Sequence, residues 1–174
     1  HSISGIQCWV ALPENMAEIE PSFTHIKKND LPHSMFEGIM MRLVVGDAYG
    51  LSSPVKSYSP MFFIDVLANK GSKIAKPHPT HETAIMVVSG KVEVNGNSYG
   101  PSDLVILEES ETEITIRESG RFILLGGEKF QNVPYLHWNF VAYSKERMEQ
   151  AKSDWNNGKF PTIPGDDKEF IPLK

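Results

Sequence analysis

The chain has 174 residues, 40% hydrophobic and 22% charged, with 17 Lys and Arg against 22 Asp and Glu for a net charge of −5. That composition supports a packed core and argues against wholesale disorder. The acidic balance, with no basic run longer than Lys27-Lys28, argues against a nucleic-acid or anionic-membrane surface, which needs a clustered basic field.

The single cysteine, Cys8, cannot close an intramolecular disulfide, so folding does not depend on an oxidising compartment. It sits in the apolar run Ile6 to Val10, where a buried, inert thiol is expected. No apolar stretch reaches the ~18 residues of a membrane span, and no signal-peptide pattern opens the chain. A cytoplasmic protein is the expectation. The first residue is His1 rather than Met, which reads as a processed, tagged or fragmentary chain.

In chain order, Gly5 to Leu12 looks like a strand, isolated ahead of a polar, loop-like stretch from Pro13 to Pro32. Arg42 to Gly46 resumes strand character, and Met61 to Leu67 is an apolar run of strand length. Thr83 to Val88 is another, followed across Ser89-Gly90 by the alternating Lys91 to Val94, the period of a half-buried strand. Asn95-Gly96 offers residues that tolerate the positive φ of a type I′ hairpin turn. Asp103 to Leu107, Thr112 to Arg117 and Arg121 to Leu125 follow, the last closed by Gly126-Gly127, read as a turn. His137 to Tyr143 is a final aromatic strand. Strands at intervals of about ten residues point to a sandwich or barrel.

One helix is expected, with Ser144 as N-cap, Glu146 in the first turn and Gly158 at its close. Met148, Ala151 and Trp155 fall at spacings of three and four, an apolar docking stripe. Beyond it, Pro161, Pro164 and Pro172 favour an extended tail. Its apolar residues Phe160, Ile163, Phe170, Ile171 and Leu173 predict a tail strapped onto the body.

The one cluster with chemistry is Lys76 to Glu82. His78, His81 and Glu82 at a barrel mouth are of the ligand types that hold Fe, Ni, Mn or Zn. The competing reading is a surface loop with solvated histidines, and it is preferred. His25, His33 and His137 read as ordinary surface or hydrogen-bonded residues. No nucleophile elbow, Ser/His/Asp order or phosphate loop is present. The pairs Asp166-Asp167 and Glu108-Glu109 read as solvated turn residues. No catalytic residue is assigned. A ligand-binding barrel lined by Phe62, Phe122 and Trp138 is a further candidate.

Several stretches together resemble the pirin family. They are Gly5 to Pro13, Glu20-Pro21-Ser22-Phe23, Gly50 to Val55, Leu124 to Glu128, Trp138 to Val141, and the ending Trp155 to Leu173 with Pro164-Gly165-Asp166. They cover almost the whole chain in order, and the tail is similar to a bacterial-type branch.

The resemblance implies a bicupin. Its C-terminal half would be an all-β, cupin-type double-stranded β-helix (a jelly-roll sandwich) with one C-terminal helix and an extended tail. Residues 1–13 would be inter-domain strand or linker, 14–143 the cupin, and 144–174 the helix and strapped tail. Aligned with the cupin metal motif on Glu82 and Gly90, His78 takes the second histidine's place and Lys76 the first's. Glu111 to Glu118 holds no histidine. The resemblance therefore implies no metal in this half. Fe or another divalent transition metal is expected in an N-terminal cupin that this chain lacks. That cupin is the expected partner, beside a second copy or another protein. Members of the family are associated with quercetin 2,3-dioxygenase activity or metal-dependent regulation. A non-catalytic supporting half is the leading expectation, and the dioxygenase of an intact parent is the alternative.

Overall fold

The computed structural model describes residues 5–166 and 168–173. Expectations that fall on residues 1–4, 167 and 174, including the start of the linker and Asp167, lie outside the described residues. The backbone divides into a unit of residues 20–129 and one formed by 5–19 with 130–173.

The larger unit is built on side chains that alternate between burial and exposure. Strand β4 (Met61–Ala68) buries Phe62, Ile64, Val66 and Ala68, and β6 (Glu82–Val87) buries Thr83, Ile85 and Val87. Their period of two places one face of each strand in the core. The remaining strands are β1 (His33–Phe36), β2 (Ile39–Ala48), β3 (Leu51–Ser52), β5 (Lys73–Ala75), β7 (Lys91–Val94), β8 (Asn97–Tyr99), β9 (Leu104–Leu107), β10 (Glu113–Glu118) and β11 (Gly120–Gly127). They form a seven-stranded sheet in the order β1-β2-β4-β11-β6-β9, with β3 on β2, and a four-stranded sheet in the order β5-β10-β7-β8. Every pairing is antiparallel.

One core lies between the sheets, joining Leu43, Phe62, Ile85, Phe122 and Leu124 of the larger to Ile74, Val92, Ile114 and Ile116 of the smaller. This is the expected jelly-roll sandwich. On the outer face of the larger sheet, Asp65 is mostly buried and accepts from Arg121 Nε at 2.7 Å, with Arg42 3.8 Å away.

The turns show how local chemistry sets register. Asn95-Gly96 joins β7 to β8 with φ of 48° and 77°, the expected type I′ hairpin. Glu37-Gly38 and Tyr49-Gly50 repeat that pattern of positive φ at β1–β2 and β2–β3. Two readings are corrected. Gly126-Gly127 is not a turn but the end of β11, where a Cβ on Gly126 would lie 2.2 Å from the Glu82 carbonyl and 2.5 Å from the Phe62 ring. His137 to Tyr143 is not one strand but part of the hairpin of β12 (Tyr135–His137) and β13 (Phe140–Ala142). Trp138, at φ 49°, turns the chain between them.

The smaller unit holds that hairpin and helix α1 (Lys145–Asn156). Phe140, Ala142, Met148 and Ala151 form its core, with Trp155 and Leu173 packed against it. The tail is fixed by Trp155 Nε1–H donating to the Ile171 carbonyl at 2.9 Å and by Phe160 and Phe170 on the rings of Phe140 and Trp155. Ser144 Oγ accepts from the Arg147 amide at 3.1 Å, satisfying one of the helix's orphan donors. Ser144→Ala is expected to cost about 1 kcal/mol in denaturant unfolding; an unchanged midpoint would contradict the cap.

The expected strand from Gly5 to Leu12 has no sheet partner, and Cys8 is exposed rather than buried. A strand exists only where its backbone groups pair with another, and nothing in the described chain pairs there. No helix among the described residues is long and apolar enough to cross a membrane.

Candidate functional site

The loop from Lys76 to His81 enters β6 at one end of the larger unit and is tied down by short-range chemistry. The Lys76 amide donates to the Thr112 carbonyl at 2.8 Å, and the Tyr49 hydroxyl donates to the Ala75 carbonyl. His78 Nε2 lies 2.8 Å from the Asp47 carbonyl. Since a carbonyl only accepts, that ring nitrogen carries the proton. Thr83 Oγ1 donates back to the His81 carbonyl at 3.2 Å.

These ties bring His78 and His81 together, with ring centroids 4.4 Å apart. Both lie against the fully buried Phe62 ring, at 5.9 and 6.3 Å, and the His81 ring is nearly parallel to it at 7°. His81 Nδ1 is buried without a hydrogen-bond partner. Neither histidine is therefore a freely solvated loop residue, which corrects the expectation for that pair.

Burial, and next the neighbouring His78, push the His81 pKa below its ordinary value of 6.5, against a smaller opposing pull from Glu128. The folded chain thus takes up this proton less readily than the unfolded one. His81 accordingly contributes stability that is fully present above about pH 6.5 and is lost as pH falls toward its lower folded value. His81→Phe, which keeps a ring on Phe62, is expected to flatten the decline of melting temperature between pH 7 and 5. Parallel curves for both proteins would rule this out.

Glu82 does not join the pair. It sits on the opposite face of β6 from Thr83, largely exposed, with Lys129 Nζ 3.9 Å from its carboxylate. Among the described residues no group of three or more His, Cys, Asp or Glu side chains is placed to hold a metal ion. A two-imidazole pair with one nitrogen spent on a carbonyl does not fit the donor set of a catalytic metal. His25, His33 and His137 are exposed and lie apart in sequence from this loop.

Phe62 and Phe122 are fully buried in the core itself, and Trp138 belongs to the aromatic cluster of the smaller unit. The proposed ligand barrel is filled by its own lining. Tyr49 is the residue that sequence reasoning missed. The only signal for its role was the following glycine of a two-residue turn.

Residues 63–161 match the family model described as the Pirin C-terminal cupin domain. The chain belongs to the pirin family. It is 38% identical over 173 residues to a pirin-like protein of Caulobacter vibrioides, covering 98% of this chain and 60% of that protein. It is 26% identical over 163 residues to human pirin, covering 89% and 56%. A crystal structure of quercetin 2,3-dioxygenase from Acinetobacter baumannii superposes with a TM-score of 0.84 at 29% identity, over 95% of this chain and 56% of that one. The chain thus spans about half to 60% of the length of the curated relatives it matches.

Proposed function

We propose that this chain is the C-terminal cupin half of a pirin-type protein, without a metal of its own. In this reading it covers an N-terminal metal-binding cupin and offers surface to a protein partner or a second copy. The observation that carries it is the apolar surface of the smaller unit. In that unit Trp9 is 61% exposed, and Ile6, Val10, Leu136, Phe170 and Ile171 are exposed as well. A folded unit that leaves this many large apolar side chains in water is one made to be covered. The outward-turned Glu82 and the lysine at position 76 support the metal-free half of the reading.

Metal analysis of the purified chain beside a His78→Ala, His81→Ala variant tests it. A folded chain with substoichiometric metal is expected for both proteins. Near-stoichiometric Fe, Ni, Mn or Zn in the wild type, lost in the variant, would overturn the proposal.

The similarity to the Acinetobacter quercetin 2,3-dioxygenase favours a second reading, in which the chain is one half of an oxidoreductase whose activity needs the intact parent. Fe or another divalent transition metal would sit in the N-terminal cupin, which such chemistry requires. Turnover of quercetin by the metal-loaded parent, and none by this chain, is the expected result. A metal-loaded parent inert toward quercetin would sink the second reading alone.

A further inference from the structure

Strand β9 ends the seven-stranded sheet, hydrogen-bonded to β6 on one side only. Its sequence is Leu104-Val105-Ile106-Leu107, with Val105 and Leu107 buried in the core. Leu104 and Ile106 point to the outer face, 59% and 73% exposed. Their cross-strand neighbours Met86 and Ala84, and beyond them Ile123 and Leu125, continue the apolar rows inward.

Natural sheets blunt such an edge with a lysine, a proline or a bulge, because unpaired backbone groups template another strand. This one carries none of the three. The smaller sheet differs. Its face bears the ion pairs Lys73–Glu113, Lys91–Glu118 and Arg117–Glu93, and its edge strands β5 and β8 expose Lys73, Ala75, Asn97 and Ser98, with no large apolar side chain among them.

Charge decides what pairs with β9. No Lys or Arg occurs between Lys91 and Arg117. Asp103 precedes the strand, and Glu108, Glu109 and Glu111 follow it. None of these four carboxylates is ion-paired among the described residues. Pairing β9 with β9 of a second copy would bring eight carboxylates together with no cation between them. One of the four carboxylates precedes the strand and three follow it.

We propose that the β9 edge receives an extended segment of another protein by strand addition. The segment runs antiparallel to β9, like every neighbour in this sheet. It carries apolar residues at alternate positions and a cluster of Lys or Arg immediately before them. Antiparallel entry sets that basic cluster beside Glu108, Glu109 and Glu111, and the alternating side chains beside Leu104 and Ile106. This assignment is independent of the metal question.

Two fluorescent peptides test it on the whole chain, Lys-Arg-Lys-Val-Thr-Val-Thr-Val and the same strand led by Glu-Asp-Glu. The basic peptide is expected to bind at least tenfold more tightly than the acidic one by anisotropy. Its affinity should weaken as salt rises, because the attraction is between exposed charges. Ile106→Lys, at an exposed site, and Ile106→Thr, which keeps strand propensity, are each expected to weaken binding at least tenfold with the melting temperature preserved. Equal binding of the two peptides, no binding at all, or no loss in both Ile106 variants would overturn the proposal. So would a dimer of the wild-type chain that Ile106→Lys dissolves, which would assign the edge to a second copy.

Discussion

Gly46→Ala is expected to destabilise the larger unit by about 4 kcal/mol or more, measured as a shift in denaturant midpoint. Gly46 lies inside β2 with φ +81°, a backbone region that disfavours a Cβ. A Cβ there would also fall 1.7 Å from the Met61 carbonyl oxygen, so the backbone of β4 would have to retreat. Gly46 is paired with Phe62, just past the register shift between Leu43 and Val45. Any retreat therefore disturbs the residue on which both histidines rest. Gly71→Ala is the control. It has φ +90° but nothing within 4 Å of the added Cβ, so it bears only the conformational cost of about 1–2 kcal/mol. Equal losses at the two positions would show that the close approach of β2 to β4 is not what demands glycine.

Phe62→Ala is expected to cost about 3–5 kcal/mol, the usual range for removing a fully buried phenylalanine. Its ring occupies the space that Gly126 leaves open on β11, where even a Cβ would come within 2.5 Å of it. The ring also lies against those of His78 and His81. Removing it opens a cavity at the base of the histidine pair and lets water reach His81. Two readouts should move together: the unfolding midpoint falls, and the His81 pKa, followed by NMR, rises toward the ordinary 6.5. A loss below about 1.5 kcal/mol would mean that neighbouring side chains collapse into the space. A fixed His81 pKa would mean that the ring does not shield it.

Much of the sandwich was legible because strand burial is a local, period-two property. The runs beginning at Met61, Thr83, Lys91 and Arg121 each start within one residue of an observed strand. Asn95-Gly96 announced its turn because asparagine and glycine are the residues that tolerate positive φ. Glu37-Gly38 and Tyr49-Gly50 adopt the same backbone without that announcement, since a glutamate or tyrosine has no intrinsic preference for it. Ser144 and Gly158 bounded the helix because capping is settled within a few residues.

The sequence by itself determined the alternation that builds two sheets, the capped helix, the apolar tail and a resemblance to the pirin family. Tertiary structure alone decided which way each local feature was used. It made Gly126-Gly127 a strand end, because the Glu82 carbonyl and the Phe62 ring pack where a Gly126 side chain would stand. It bent His137 to Tyr143 into a hairpin and left Gly5 to Leu12 without a sheet partner among the described residues, because strand pairing depends on what lies alongside. It set His78 beside His81 and turned Glu82 away, because their directions follow from the register of β6 and the ties of one loop. Composition and spacing carry no information on direction, and direction is what separates a metal site from two histidines resting on a core.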